Sequence, residues 1–241
     1  MEKTNIIKKN ASRWNKLPAG NFRLNIHYLF HINDYLFKLL YKYFSIKWRK
    51  ERGWEHSKYK LLFSNRNVLE IGSGMGFDSL IYSPKAKSYT HGELSSLQID
   101  FLKKVHRVFN SENLQKISFL KIQDPIKFEY PKKFNAFYAH GVLHHVPFDL
   151  AKEQFQQIDK YLEKESIVVF LMYPKERWLN AGKPDFEKFG NYTDGGCPWT
   201  EYYDREKIMD LVGEKYQLLE EIKWGKNSVE FVNFELVKIT K

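Results

Sequence analysis

The sequence predicts an α/β fold: a doubly wound sheet, mostly parallel, with an antiparallel hairpin at its C-terminal edge and a helical cap at the N-terminus. Three observations carry that prediction. Short apolar runs alternate with segments of helical period from about residue 67 to 172. The first run, Val68 to Ile71, opens onto glycines at alternate positions, Gly72, Gly74 and Gly76. The chain then ends in two β-rich segments, 216–224 and 229–239, with little between them.

At 241 residues the chain suits one α/β domain with elaborations. Residues 1–60 read as a helical cap or lid, and 61–241 as the core with an aromatic lid loop inserted at 174–203. The single cysteine, Cys197, excludes internal disulfides and cysteine-ligated zinc, and it suits a reducing compartment. The first twenty residues contain no apolar signal core, and no uncharged apolar stretch of membrane-spanning length occurs. A soluble, cytoplasmic protein is expected. The net charge of +10 raises nucleic acid as a partner, since cationic side chains displace counterions from phosphate. Only eight of the 39 basic residues are arginine, however, and the lysines are spread along the whole chain. A solvated lysine surface explains them better, so nucleic acid is disfavoured.

From His27 to about Tyr43, Leu29, Ile32, Leu36, Leu39, Leu40 and Tyr43 recur at three- and four-residue steps. This predicts a helix with Asn33, Asp34 and Lys38 on its other side and that face packed as a cap on the core; a substrate lid is the next reading, and a helix lying on a membrane surface the last. A basic, aromatic stretch from Lys47 to Trp54 follows. Strand one begins near Asn67, and a short helical stretch follows the glycines from Phe77. Ser88 to Glu93 is strand two. Ser95 and Gln98 form the S-x-x-Q capping pattern of a helix whose apolar residues are Leu97, Phe101, Leu102, Val105, Val108 and Phe109. Strands three and four are Ile117–Ile122 and Phe134–Ala139. Leu150 to Leu162 reads as a helix and Ile167 to Leu171 as a strand of β-formers. Asp204 caps a helix reaching about Gly213.

The glycine turn indicates chemistry. Without a Cβ the backbone takes left-handed angles and lets a ligand approach closely. A dinucleotide fingerprint is G-x-G-x-x-G, whereas here Phe77 stands where the third glycine would be and the pattern is G-x-G-x-G. VLEIGSGMG resembles motif I of the class I S-adenosylmethionine-dependent methyltransferases. The segment FNAFYAHGVLHHV, residues 134–146, resembles motif IV and the following post-motif of the same superfamily, with Asn135 where many members have aspartate. The resemblance spans roughly residues 66 to 172. It implies a Rossmann-like fold and S-adenosyl-L-methionine as cofactor.

The resemblance also implies site residues. Glu70 would orient the methionine part of the cofactor, and Gly72, Ser73, Gly74 and Gly76 would give the backbone approach. Glu93, 21 residues beyond Gly72, stands at the distance from which a carboxylate accepts ribose hydroxyls. Asp124 falls where the family places the acid that accepts the adenine amino group. Pro125 follows it directly and has no N–H to offer adenine, so that contact moves to Ile126 or is lost. Backbone around His140 and Gly141 would flank the methionine carboxylate or the sulfonium.

A hydroxyl acceptor must lose its proton, and histidine titrates near neutral pH, so His145 or His144 is the candidate base. The competing reading is that the pair caps a helix or bonds backbone. Three histidines, His140, His144 and His145, without a placed carboxylate do not make a metal site. Trp199, Tyr202 and Tyr203 are candidates for a substrate wall, or else anchor their loop to the core. The function expected is methylation of a small molecule, foremost O-methylation of a sugar or metabolite hydroxyl with a histidine base. The alternatives are an RNA methyltransferase and a non-catalytic S-adenosylmethionine-binding partner protein.

Overall fold

A computed structural model of the chain describes residues 3–14, 26–193 and 196–240. Two compact units emerge, Ser12–Lys121 and Ile122–Lys241 with the N-terminal residues to Ala11. The strands of the first unit pair in parallel, and those of the second make a mixed sheet, antiparallel toward the C-terminus. After α1 (Lys3–Trp14), the elements of the first unit are α2 (Ile26–His31), α3 (Asp34–Leu62), β1 (Asn67–Ile71), α4 (Ser79–Tyr82), β2 (Ser88–Glu93), α5 (Ser96–Phe109) and β3 (Ile117–Lys121).

The N-terminal helix predicted over 27–43 is two helices. Asn33 adopts an extended conformation and its side-chain oxygen accepts the Leu36 N–H at 3.0 Å, so α3 starts afresh at Asp34. The new phase changes which face is buried. Leu29 is buried and Ile32 and Leu40 partly so, but Leu36, Leu39 and Tyr43 are exposed. The buried stripe is instead Phe37, Tyr41, Arg52, Glu55, His56, Tyr59 and Phe63. Large aromatic rings outweigh leucines in the area they remove from water, and they set the rotation of the helix. The stretch from Lys47 to Trp54 belongs to the same helix.

β1 and β2 pair in parallel with Leu69 opposite Thr90, and β2 pairs in parallel with β3. Ser95 caps α5 by accepting the Gln98 N–H at 3.1 Å. From α5, Phe101 and Val105 pack with Phe37, Tyr41, Met75 and Phe77 in one apolar cluster.

The second unit holds β4 (Phe134–His140), α6 (Phe148–Asp159), β5 (Leu162–Pro174), α7 (Lys175–Asn180), α8 (Phe186–Phe189), β6 (Tyr202–Tyr203), α9 (Arg205–Val212), β7 (Tyr216–Trp224) and β8 (Phe231–Lys238). β4 and β5 run parallel, while β8 runs antiparallel to both β5 and β7. This is the expected C-terminal hairpin. Leu162, predicted to end a helix, instead begins β5 and pairs with Phe134. Glu165 takes φ 64° just inside the strand, where the register against β4 shifts, so the pattern there is irregular. The last strand is shorter than 229–239 because Asn227 and Ser228, both at φ 55°, shape the preceding turn. The described residues of the aromatic segment 174–203 include two short helices and a two-residue strand pairing Tyr202 to Tyr173. Asp204 accepts the Lys207 N–H at 3.0 Å and starts α9 as predicted. Among the described residues no helix is long and apolar enough to cross a membrane.

Phe101 is fully buried with its ring 5.9 Å from that of Phe37. Phe101→Ala is expected to destabilise the fold by about 3–5 kcal/mol in urea denaturation. Leu39→Ala, on the exposed side of α3, should stay within about 0.5 kcal/mol of wild type.

Candidate functional site

The glycine turn follows β1. Gly72, Gly74 and Gly76 have φ of 65°, 54° and 72°, a region that side chains with a Cβ rarely adopt. A Cβ on Gly76 would lie 2.8 Å from the Leu102 side chain, so this glycine also lets α5 pack close. Short backbone bonds shape the turn, Gly76 N–H to the Ser73 carbonyl at 2.9 Å and Gly72 N–H to the Gly92 carbonyl at 3.1 Å.

Side chains from two helices hold the turn in place. The Tyr41 hydroxyl donates to the Met75 carbonyl at 2.6 Å, and the Gln98 amide donates to the Gly74 carbonyl. Asp78, just beyond the turn, receives three donors from α3. Arg52 donates at 2.9 Å and Trp48 Nε1 at 3.4 Å, while His56 Nε2 stands 3.0 Å away. Arg52 also donates to Glu55 at 2.5 Å and lies over the Trp48 ring at 4.6 Å. Residues 41, 48, 52 and 56 share one face of α3 because their spacings are whole turns.

Glu93 ends β2 as predicted, and its carboxyl accepts the Ser73 N–H at 2.5 Å. Burial, with Glu70 nearby, pushes its pKa up to about 8. Glu70 is buried inside the unit, where it accepts the Tyr89 hydroxyl at 3.0 Å. Burial and the charge of Asp78 raise it likewise to about 8.

A polar chain that sequence reasoning missed runs beneath the turn. Ser73 Oγ lies 2.6 Å from His91 Nδ1, and His91 Nε2 lies 3.0 Å from His106 Nε2. His106 Nδ1 faces the Asn110 amide nitrogen at 3.4 Å, and that same nitrogen donates to Ser83 at 2.9 Å. His106 Nε2 also lies 3.1 Å from Ser79 Oγ and His91 Nδ1 3.4 Å from Glu70, and the following proton arrangement is compatible with these contacts. Asn110 donates to His106 Nδ1, His106 Nε2–H donates to His91 Nε2, and His91 Nδ1–H donates to Ser73. Both rings are therefore neutral, and burial holds His91 at about 3 and His106 at about 2. His91 sits in a strand and His106 on a helix, so only the fold brings them together.

In the second unit, Asp124 is half-buried and accepts the Ile126 N–H at 3.2 Å. The N–H proposed to replace that of Pro125 is thus engaged by Asp124 itself. His140 ends β4, half-buried, and Gly141 follows at φ 68° with its N–H on the Leu171 carbonyl at 3.1 Å.

His144 and His145 lie in a tight turn, Leu143–His145, and face each other with their Nε2 atoms 3.1 Å apart. His144 stacks on Tyr173, ring centres 4.3 Å apart. His145 Nδ1 is 3.4 Å from the Trp199 carbonyl, which can only accept. Thr200 Oγ1 stands 3.5 Å from the same nitrogen and donates to that carbonyl at 2.9 Å; with the His145 proton on Nδ1, His144 donates from Nε2. This leaves His144 Nδ1 as a bare, buried nitrogen with no hydrogen-bond partner. Burial above all, with His145, Arg177 and His140 nearby, holds His144 well below the usual histidine value.

Trp199, Tyr202 and Tyr203 surround a partly buried ion pair that the sequence did not reveal. Glu201 accepts Trp199 Nε1–H and the Phe148 N–H, each at 2.9 Å, and also pairs with Lys207. The Lys207 ammonium lies 4.9 to 5.2 Å from the rings of Tyr202, Tyr203, Phe186 and Phe148. Tyr203 is fully buried, whereas Trp199 and Tyr202 are half-exposed. The glutamate inside W-T-E-Y-Y and the lysine four residues beyond Tyr203 were the only available signals. Among the described residues no cluster of three metal-ligating side chains occurs.

No protein-family model matches the chain, and no curated protein matches it by sequence. Solved structures do match its backbone. The complex of DhpI with S-adenosylhomocysteine aligns over the whole of both chains, with a TM-score of 0.63 and 13% identity. Magnesium protoporphyrin IX methyltransferase of Synechocystis, with the same ligand bound, aligns over 98% of this chain and 95% of its own at a TM-score of 0.57 and 13% identity. The N-methyltransferase NodS of Bradyrhizobium japonicum aligns over 76% of this chain and 85% of its own, at 0.56 and 14%. The fold is the one these three proteins share, two of which are named as methyltransferases. At such low identity the likeness speaks for the fold, and the chemistry rests on the residues above.

Arg52→Met would leave Asp78 and Glu55 as buried carboxylates without their cation. It is expected to cost about 3–5 kcal/mol in urea denaturation, and adding Asp78→Asn should recover part of that loss.

The buried acids and histidines also predict a pH profile. Glu70 and Glu93 are raised from 4.5 to about 8, so their contribution to stability is complete below pH 4.5 and is lost as pH rises through 8. His91 and His106 are lowered from 6.5, so theirs is complete above pH 6.5 and is lost as pH falls toward 3 and 2. Urea midpoints should therefore fall between pH 6.5 and 8, and Glu70→Gln should flatten that decline.

Proposed function

We propose that the chain transfers a methyl group from S-adenosylmethionine to a small-molecule acceptor. The observation that carries this reading is the turn after β1. Its glycines stand at left-handed angles, a carboxyl group lies at the tip of the neighbouring strand, and the fold is one that binds S-adenosylhomocysteine in other proteins. Gly72 and Gly74 would let the backbone approach the cofactor. Glu93 would turn from the Ser73 N–H to the ribose hydroxyls, Glu70 would act from beneath, and Asp124 would serve the adenine. When bound, the cofactor supplies a methyl group made electrophilic by its sulfonium.

The chain's own task is to hold the acceptor in line and, for a hydroxyl, to take its proton. For that step the geometry favours His144 over His145. His144 is neutral at pH 7 and its Nδ1 lone pair is bare, while both nitrogens of His145 face protein atoms. A proton accepted at His144 Nδ1 can be balanced by passing the Nε2 proton on to His145. O-methylation of a metabolite is the preferred reaction, with Trp199 and Tyr202 on the acceptor side and Tyr203 behind them as support. Matched structures that name small-molecule acceptors, a porphyrin and a glycopeptide, favour a small acceptor over RNA.

Isothermal titration with S-adenosylmethionine tests the reading. Wild type should bind, and Gly74→Arg should abolish binding by filling the turn; normal binding by that variant would place the cofactor elsewhere. With a labelled methyl group and cell extract as acceptor source, His144→Ala should cut turnover by roughly a hundred-fold or more while leaving cofactor affinity nearly unchanged. Equal loss of both would assign the pair a structural role, and binding without any labelled product would favour a non-catalytic partner protein.

A further inference from the structure

α3 has a second ordered face. Opposite its buried aromatic stripe it carries Tyr35, Leu39, Tyr43 and Ile46, which are 74%, 50%, 70% and 67% exposed. Steps of four, four and three residues align them over three turns of helix. A cationic row of exposed residues, Lys38, Lys42 and Arg49, follows one edge of this line. The acids of α3 whose side chains are described do not offset it. Asp34 is held by Arg107 through bonds of 2.9 and 3.0 Å, and Glu55 is fully buried against Arg52.

The rest of the unit explains the buried face of the helix but not this one. Phe37, Tyr41 and Trp48 are used in packing against Phe77, Phe101 and Phe109. Tyr35, Leu39, Tyr43 and Ile46 meet water. A row of apolar and amphipathic side chains beside a row of cations is the pattern of a helix lying in a lipid interface. There tyrosine sits at headgroup level, and lysine stems extend along the apolar surface while their charges reach phosphate. Nucleic acid would use the cations and leave the apolar row in water. We infer that this face of α3 docks on a bilayer surface bearing anionic lipids, with the Tyr35–Ile46 row entering the interface and Lys38, Lys42 and Arg49 facing the headgroups. The helix lies on such a surface and does not cross it, since it is too polar to span.

Co-sedimentation of the full chain with vesicles tests this. Phosphatidylcholine vesicles containing phosphatidylglycerol should capture the protein at low salt, and phosphatidylcholine alone should capture far less. Replacing Lys38, Lys42 and Arg49 together by glutamine should weaken partition on the order of a hundred-fold. Leu39→Asp with Ile46→Asp should abolish it while circular dichroism and the melting temperature stay at wild-type values, since both sites are exposed. Failure of the mixed vesicles to capture wild type would overturn the inference, as would equal partition of the Leu39→Asp, Ile46→Asp variant. So would a dimer in light scattering that this variant dissociates, or RNA binding that needs the cations and ignores the two aspartates.

Discussion

The Arg52–Asp78 ion pair is the constraint on which the glycine turn depends. A turn made of glycines has few side chains with which to fix itself, so its shape must be imposed from outside. α3 does this by placing Tyr41, Trp48, Arg52 and His56 along one face, so that one carbonyl and one carboxylate of the turn region are gripped by a single rigid rod. Buried ion pairs contribute little net stability compared with apolar packing, because desolvation offsets their attraction. Their effect here is positional. Asp78 has several donors at fixed distances, and few other arrangements of the turn would satisfy them.

The same logic extends beneath the turn. Ser73 joins a chain of neutral histidines that ends in the amide of Asn110, itself pinned by Ser83 and Asn113. Each neutral ring has one acceptor and one donor nitrogen, and Ser79 and Glu70 stand beside the chain as further partners. The turn is thus supported by an ionic cluster from α3 and by an uncharged relay from β2 and α5. Both belong to the first unit. The second unit repeats the device at a different place: Glu201 gathers backbone, indole and ammonium donors and ties the aromatic segment to the start of α6.

Much of this was legible in the sequence. The strands of the first unit, the S-x-x-Q cap, the Asp204 cap and the C-terminal hairpin follow from local rules of period and capping, and the glycine spacing alone located the turn. The rotation of α3 was not legible, because Asn33 resets the helix by a single hydrogen bond and two apolar stripes then compete for burial. The contents of the 174–203 segment were also hidden, since its short helices are too brief to show periodicity. The supports of the site were hidden for a more general reason. Arg52, Asp78, His91, His106 and Lys207 lie far apart in the chain and carry no spacing signature, so only packing makes them neighbours.

β5 has a consequence for how the chain is made. This strand is almost continuously apolar from Ile167 to Tyr173 and is hydrogen-bonded along one edge by β4, which is synthesised before it. Its other edge is covered by β8, which begins at Phe231. Between the two lie α7, α8, β6, α9 and β7. A ribosome must therefore produce more than fifty further residues while a sticky strand edge waits for its neighbour. Residues 231–238 thus close an edge on which growing chains could otherwise associate, and any slowing of synthesis after Pro174 lengthens that exposure.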